Sequence, residues 1–180
     1  MTRPTMITWT SSDPTVSQFN EQIRDAMNWN YDQWDDAVRY VAADESNSTT
    51  TLADSTYLTW DVAANDVWEF VLTLIYTGST TADFQFWWTY PTGTTLLMGS
   101  DVVAPGTGST LTTLTEASGA RSIGAAGAST PTLVKYHGVF FVSSTSGTIT
   151  LQFAQAASGA TAAVVKKGSN LILKKLSPYP

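Results

Sequence analysis

From about residue 49 onward, apolar and polar positions alternate in short runs separated by Gly, Ser, Thr and Asn clusters. This is the pattern of antiparallel strands. In "VWEFVLTLIYT", Trp68, Phe70, Leu72, Leu74 and Tyr76 fall on one face and Val67, Glu69, Val71, Thr73 and Ile75 on the other. The first set is uniformly apolar and is assigned to a core; the second is mixed. "DFQFWWTY" sets Phe84, Phe86, Trp88 and Tyr90 against Asp83, Gln85, Trp87 and Thr89, and Pro91 ends the run. The turn "GSTTA" between these two runs predicts a hairpin of central strands. "PTLVKYHGVFFVSS" and "GTITLQFAQA" predict a second hairpin through "SSTSG", with Ile149, Leu151 and Phe153 alternating with Thr148, Thr150 and Gln152. "STYLTWDV" and "SNLILKKL" add further strands, and Pro178 and Pro180 stop the last one. Residues 91–131 carry weaker signals at "TTLLMG", "STLTTLT" and "ARSIGA", which predict edge strands among long loops.

The front of the chain keeps a different period. In "SQFNEQIRDAMNWNYDQW", Phe19, Ile23, Met27 and Asn30 recur at helical spacing, and Ser17 is a candidate N-cap with Glu21 near the positive helix end. The spacing predicts a helix over about 17–30, continuing irregularly toward Val41, with Glu21, Gln22, Asp25 and Asn28 on its wet face. "AADESNSTTT", Ala42 to Thr51, reads as a polar linker. Some eight strands and a single helix predict a mainly β fold. It is an antiparallel jelly-roll-like β-sandwich preceded by an N-terminal arm and one amphipathic α-helix. The expected division is an arm and helix over 1–45 and a sandwich over 46–180. Alternation alone leaves a closed barrel open as the other architecture.

Composition shifts attention to the surface. Charged residues make up only 13% of the 180, whereas Thr (29) and Ser (18) are abundant, so hydroxyl groups must solvate much of the exterior. Residues 1–116 hold 15 acids and three bases, and residues 117–180 hold six bases and no acid. These halves either neutralise one another inside one fold or form unlike patches that meet across copies. Sparse bases and an acidic front half argue against nucleic-acid binding. There is no cysteine, which excludes disulfides and thiolate metal sites. The opening "MTRPTMITWTSSDP" has no continuous apolar stretch of the signal-peptide kind. No run approaches the roughly 18 apolar residues of a membrane helix, so no membrane partner is expected.

The search for reactive chemistry is short. His137 is the single histidine, and one imidazole without thiols cannot assemble an ordinary zinc site. No G-x-S-x-G, H-E-x-x-H, phosphate-loop or dinucleotide motif occurs, and no cofactor is implied. Asp35–Asp36 and Asp44–Glu45 are adjacent carboxylates, but a hydrolase pair must converge in space. Asn47-Ser48-Thr49 is a glycosylation sequon. Trp87 lies on an otherwise polar strand face, so it is covered by the helix, covered by a neighbouring subunit, or exposed as a platform for a sugar; Tyr90 is its companion candidate.

"ITWTSSDPTVSQFNEQIRDAMNW" resembles the opening of a broad family of tailed-phage virion proteins, in which a Trp-Thr element precedes a helix with an Asn-x-x-Ile/Leu-Arg-Asp core. Here those positions are Trp9, Thr10, Asn20, Ile23, Arg24 and Asp25. "VWEFVLTLIYTG", "ADFQFWWTYPTG" and "GTITLQFAQAASGATAAVVKKGSNLILKKL" are similar to blocks of that family's β domain, so the resemblance spans most of the chain outside about 91–131. It implies a non-enzymatic minor structural component, of the head-decoration, head-fibre or minor-tail type. Such a protein is made in the host cytoplasm without export and resides in the virion. The implied partners are the major capsid or other virion proteins and sister copies, a trimer being the favoured homo-oligomer. The tail-associated alternative is a fibre or a receptor- or carbohydrate-binding module.

A lone helix of this length is marginal in water and must pack on something. Phe19, Ile23 and Met27 suffice for packing on the chain's own sandwich. Trp9, Trp29, Tyr31 and Trp34 exceed that need and point to a second surface, since aromatics anchor interfaces. The expected anchor set is therefore Trp9, Phe19, Asn20, Ile23, Arg24, Met27, Trp29, Tyr31 and Trp34, with Trp87 as a separate surface candidate.

Overall fold

A computed structural model describes residues 20–21, 23–24, 37–100, 115–116 and 119–176. The chain divides into two units, Met1–Asp36 and Ala37–Pro180. In the first, Asn20, Glu21, Ile23 and Arg24 have helical backbone, within the span where the spacing predicts a helix.

The second unit is an antiparallel two-sheet sandwich. Its strands are β1 (Ala37–Tyr40), β2 (Glu45–Asn47), β3 (Ala53–Val62), β4 (Val67–Thr77), β5 (Phe84–Thr89), β6 (Thr95–Ser100), β7 (Thr115–Glu116), β8 (Arg121–Ile123), β9 (Thr132–Phe141), β10 (Gly147–Gln155), β11 (Ala163–Val165) and β12 (Asn170–Leu176). The larger sheet runs β1-β12-β4-β9-β6-β7, and β11 pairs with β4 and β2. The smaller sheet runs β3-β10-β5-β8. Taken as interrupted strands, β1/β2 pair with β11/β12, β3 with β10, β4 with β9 and β5 with β8. First thus pairs with last, inward to the middle, and successive pairs alternate between sheets. That is the nested strand order of a jelly roll. β6 and β7 lie outside the nest and widen the larger sheet beyond β9.

This topology corrects both expected hairpins. β4 and β5 are in different sheets, as are β9 and β10, so "GSTTA" and "SSTSG" carry the chain across the sandwich. The reason is burial. Each of these strands has one strongly apolar face, and consecutive strands cover those faces against each other across the core. The polar linker, Ala42 to Thr51, is also corrected, since β2 is a strand of the sandwich, and β1 replaces the expected irregular continuation of the helix toward Val41. The order of β2 comes from side-chain bonds that alternation does not reveal. The Glu45 carboxylate accepts bonds from Ser55 Oγ (2.6 Å), Thr56 N (2.7 Å) and Thr56 Oγ1 (2.7 Å), which also fix an irregular stretch of β3. Between β11 and β12, Ser169 Oγ accepts from Ile75 N (2.9 Å) and donates to Ile75 O (3.0 Å), filling the break in the ladder.

The core is aromatic. Trp60 and Trp88 from the smaller sheet meet Phe70 and Phe140 from the larger, with centroids 5.4–5.8 Å apart in the pairs Trp60–Trp88, Trp60–Phe140, Phe70–Trp88 and Trp88–Phe140. The ring planes of these pairs are steeply inclined, an arrangement worth about 0.5–1.5 kcal/mol per pair beyond area burial. Trp68, Phe70, Leu72, Leu74 and Tyr76 are all buried, as their strand pattern predicts.

Candidate interaction surfaces

Of the expected anchor residues, Asn20, Ile23 and Arg24 are described, and all three are exposed on helical backbone. Ile23 is 43% exposed, which is unusual for the apolar centre of an amphipathic helix. Trp9, Phe19, Met27, Trp29, Tyr31 and Trp34 lie outside the described residues.

The two outer faces of the sandwich differ in chemistry. On the smaller sheet the outward positions are chiefly hydroxyls, amides and carboxylates bonded to one another. Thr59 and Thr150 hydroxyls lie 2.8 Å apart. Thr148 Oγ1 donates to Asp61 (2.8 Å), and Gln152 Nε2 to Asp54 (2.8 Å). Trp87 is on this face, opposite Gln152 in the register, and is half-buried rather than fully open. Its neighbour along the strand, Gln85, donates from Nε2 to Thr50 O (3.0 Å) and Gln155 O (2.8 Å). Tyr90 is half-buried with its ring 6.1 Å from Phe140, so it closes the end of the core.

The larger sheet presents the opposite character. The described residues include six exposed large apolar side chains: Ile23, Val38, Tyr40, Leu133, Phe141 and Ile172. All but Ile23 sit on the outer face of this one sheet. The register aligns them across strands. Val38 pairs with Ile172, Ile172 with Val71, and Val71 with His137. Ile75 pairs with Leu133, and Val67 with Phe141. Tyr40 is 63% exposed at the β1 edge and Ile172 44% exposed. Lys174 stands opposite Glu69, and Lys135 opposite Thr73. This face escapes single-strand reading because each strand contributes only one or two of its residues, and the patch exists only once the register is known.

Ionisable groups are largely held within the unit. The Asp44 carboxylate takes a bond from the Lys166 ammonium and one from Lys167 N (2.7 Å). These bonds, Lys166 foremost, hold its carboxyl below the ordinary range. Buried Asp66 accepts from Ala63 N (3.0 Å) and Trp68 Nε1 (3.2 Å), and pairs with Lys175 at 2.9 Å. Bases of the chain's second half thus meet acids of its first half inside one fold at these two places, because β11 and β12 lie beside β2, β1 and β4. The adjacent carboxylates Asp44 and Glu45 serve different partners, and Asp35–Asp36 lie outside the described residues.

The sequon asparagine is committed as well. Asn47 is buried, and its Nδ2 donates to Thr51 O (2.9 Å) and Phe153 O (2.8 Å), which leaves no amide for a glycan in the folded state. His137 is half-buried on the outer face between Val71 and Gly99. Among the described residues, no group of three or more His, Asp or Glu is placed to hold a metal ion, and no helix is long and apolar enough to cross a membrane. Burial raises the Tyr76 and Tyr136 phenols above their ordinary range. Comparison with known families finds no family model that matches the chain, and no curated protein matches it.

Proposed function

We propose that this protein is a non-enzymatic structural component of a tailed-phage particle. The segment before the sandwich, residues 1–36, holds it to the major capsid protein, another virion protein or sister copies, and the sandwich, Ala37–Pro180, projects outward to reinforce or decorate the shell. The observation that carries the reading is the nested strand order, the architecture of many viral shell domains and of lectins. Fold alone does not set function, so three further features matter. The sequence blocks resembling phage virion proteins include Asn20, Ile23 and Arg24, and these stand exposed on helical backbone. The carboxylates Asp44, Glu45 and Asp66 are engaged in bonds that hold strands and turns together. The exterior is rich in Thr and poor in charge, which suits a passive body.

Residues 1–34 lie outside the sandwich unit, Ala37–Pro180. A protein lacking them is expected to be missing from assembled particles when supplied in place of the full chain. Full incorporation of the truncated protein would refute anchoring by this segment.

A second reading, a receptor- or carbohydrate-binding module on a tail fibre, is favoured by Trp87, an indole on a face otherwise built of hydroxyls and amides. It predicts glycan-array signals from the intact protein that Trp87→Ala abolishes. Silence on the array, with the protein still present in particles, favours the structural reading.

A further inference from the structure

We infer that the outer face of the larger sheet is a contact surface between two copies of this chain, packed face to face about a two-fold axis. It rests on the part of the proposed function in which sister copies meet, but it uses a different surface from the N-terminal segment.

The first support is size. Five strands, β1 to β6 through β12, β4 and β9, at about 4.8 Å spacing span about 24 Å. The rows from Val67–Phe141 to Ile75–Leu133 cover eight residue steps, about 26 Å at about 3.3 Å each. β1, β12 and β6 are shorter than this, so the projected area is about 550 Å² at these spacings, before the relief of the side chains is added. A stable interface buries about 800 Å² per partner, and the face reaches most of that area once side-chain relief is added.

The second support is charge. The face carries few ions: Glu69, with Lys174 opposite it on β12, and Lys135, opposite Thr73 on β4. Glu69 lies two residues to one side of the Val38–Ile172–Val71–His137 row, on β4. Lys135 lies two residues to the other side, on the adjacent β9. A two-fold axis running across the strands close to that row rotates Glu69 of one copy over Thr73 of the other, one strand from Lys135. Each copy's Glu69 then reaches its partner's Lys135, twice per dimer, while Val38, Ile172 and Val71 meet their own counterparts. An interface of this kind is isologous and closed. A small tilt of the axis gives the aligned crossing of about 30° at which twisted sheets pack. The smaller sheet's outer face, whose hydroxyls and carboxylates are already bonded to one another, offers no comparable surface.

The test is light scattering and sedimentation of the full-length protein across a concentration series. The wild type is expected to show an even number of copies. Ile172→Glu, at a site already exposed to water, is expected to weaken self-association at least tenfold with unchanged folding by circular dichroism. Thr148→Glu on the smaller sheet is the control and should leave it intact. Glu69→Lys should weaken association, and Glu69→Lys combined with Lys135→Glu should restore it. Within one copy these two side chains stand about 14 Å apart along the strands, too far for a folding effect to mimic the rescue. A monomeric wild type, an odd-numbered assembly, or association indifferent to Ile172→Glu would overturn the inference. A monomer whose Ile172→Glu variant drops out of particles would overturn it too, assigning the face to another virion protein. The Ile172→Glu effect and the Glu69/Lys135 charge-swap rescue read this face alone, whereas incorporation of the 1–34 deletion reads the anchor, so this inference and the anchoring reading fail separately.

Discussion

Gly138 provides a sharp test of how the sandwich is packed. It lies mid-strand in β9, opposite Phe70 of β4 on one side and Met98 of β6 on the other. A Cβ at this position would meet the Leu97 carbonyl oxygen at 2.2 Å and the Phe70 ring at 2.8 and 2.9 Å. The ring has little room to yield, since it packs on Trp88 (5.4 Å) and Phe140 (5.1 Å). Leu97 O is backbone, so β6 itself must shift. In effect the Phe70 ring occupies the side-chain space that glycine leaves. Overpacking a core costs about 1–3 kcal/mol, and with backbone displaced as well Gly138→Ala is expected at the upper end, about 3 kcal/mol. The roughly 0.4–1 kcal/mol gained by stiffening the unfolded chain is too small to offset it. For a domain of this size each kcal/mol lowers Tm by about 2–4 °C, so the variant should melt about 6–12 °C below wild type, followed by far-UV circular dichroism. Gly124→Ala is the control, because the nearest heavy atom to its Cβ is Asp83 Oδ1 at 4.0 Å; it should stay within about 0.5 kcal/mol of wild type. A Gly138→Ala variant melting within about 2 °C of wild type would show that the close approach of β4, β9 and β6 is wrong.

Other outcomes follow from the polar groups. Asp66→Ala strands Ala63 N and Trp68 Nε1 and frees Lys175, and should cost about 2–3 kcal/mol in urea unfolding; a loss below about 0.5 kcal/mol would mean that water replaces the carboxylate freely. Asn47→Ala removes the donor to Thr51 O and Phe153 O and the acceptor for Thr49 N (2.9 Å), and should cost about 2 kcal/mol. An Asn47→Ala protein as stable as wild type would contradict the tie between β2 and β10. In alkali, Tyr76 and Tyr136 keep their protons in the folded state beyond the ordinary tyrosine value of about 10, chiefly through burial, with Arg121 partly opposing the effect at Tyr136. The unfolded chain gives those protons up first, so their contribution is complete below that pH and is lost as pH rises through the folded-state values. An ultraviolet titration should show late-ionising phenols together with falling stability; simultaneous ionisation of all tyrosines in a folded protein would contradict the burial.

Strands with one face in the core were legible. The alternation of Trp68 to Tyr76 and of Phe84 to Trp88 identifies the buried side correctly, because one solvated and one apolar face leave a period of two. Partner choice was not legible. Two apolar strands joined by a short turn fit a hairpin or a crossing of the core equally well, and only the whole set of faces decides between them. β1 and β2 were hidden for another reason: they are short, β1 is an edge strand paired with β12, and β2 is held by Glu45 and Asn47 bonding to distant backbone and hydroxyl groups. Trp87 was read onto the outer face correctly from strand parity, with the degree of its exposure left to its neighbours. The apolar outer patch could not be seen in a linear chain, since Val38, Val71, Leu133 and Ile172 come together only through strand pairing.

The nested pairing also governs how the chain must be made. β1 and β3 leave the ribosome long before β12 and β10 exist, so the earliest strands wait with bare edges while the rest is translated. Closure comes only with the last stretch, and a premature stop near the C-terminus would delete the one strand that both β1 and β4 lean upon. Most of the pairing is between strands far apart in sequence, the kind of topology that folds slowly because loop closure must precede the contacts that repay it.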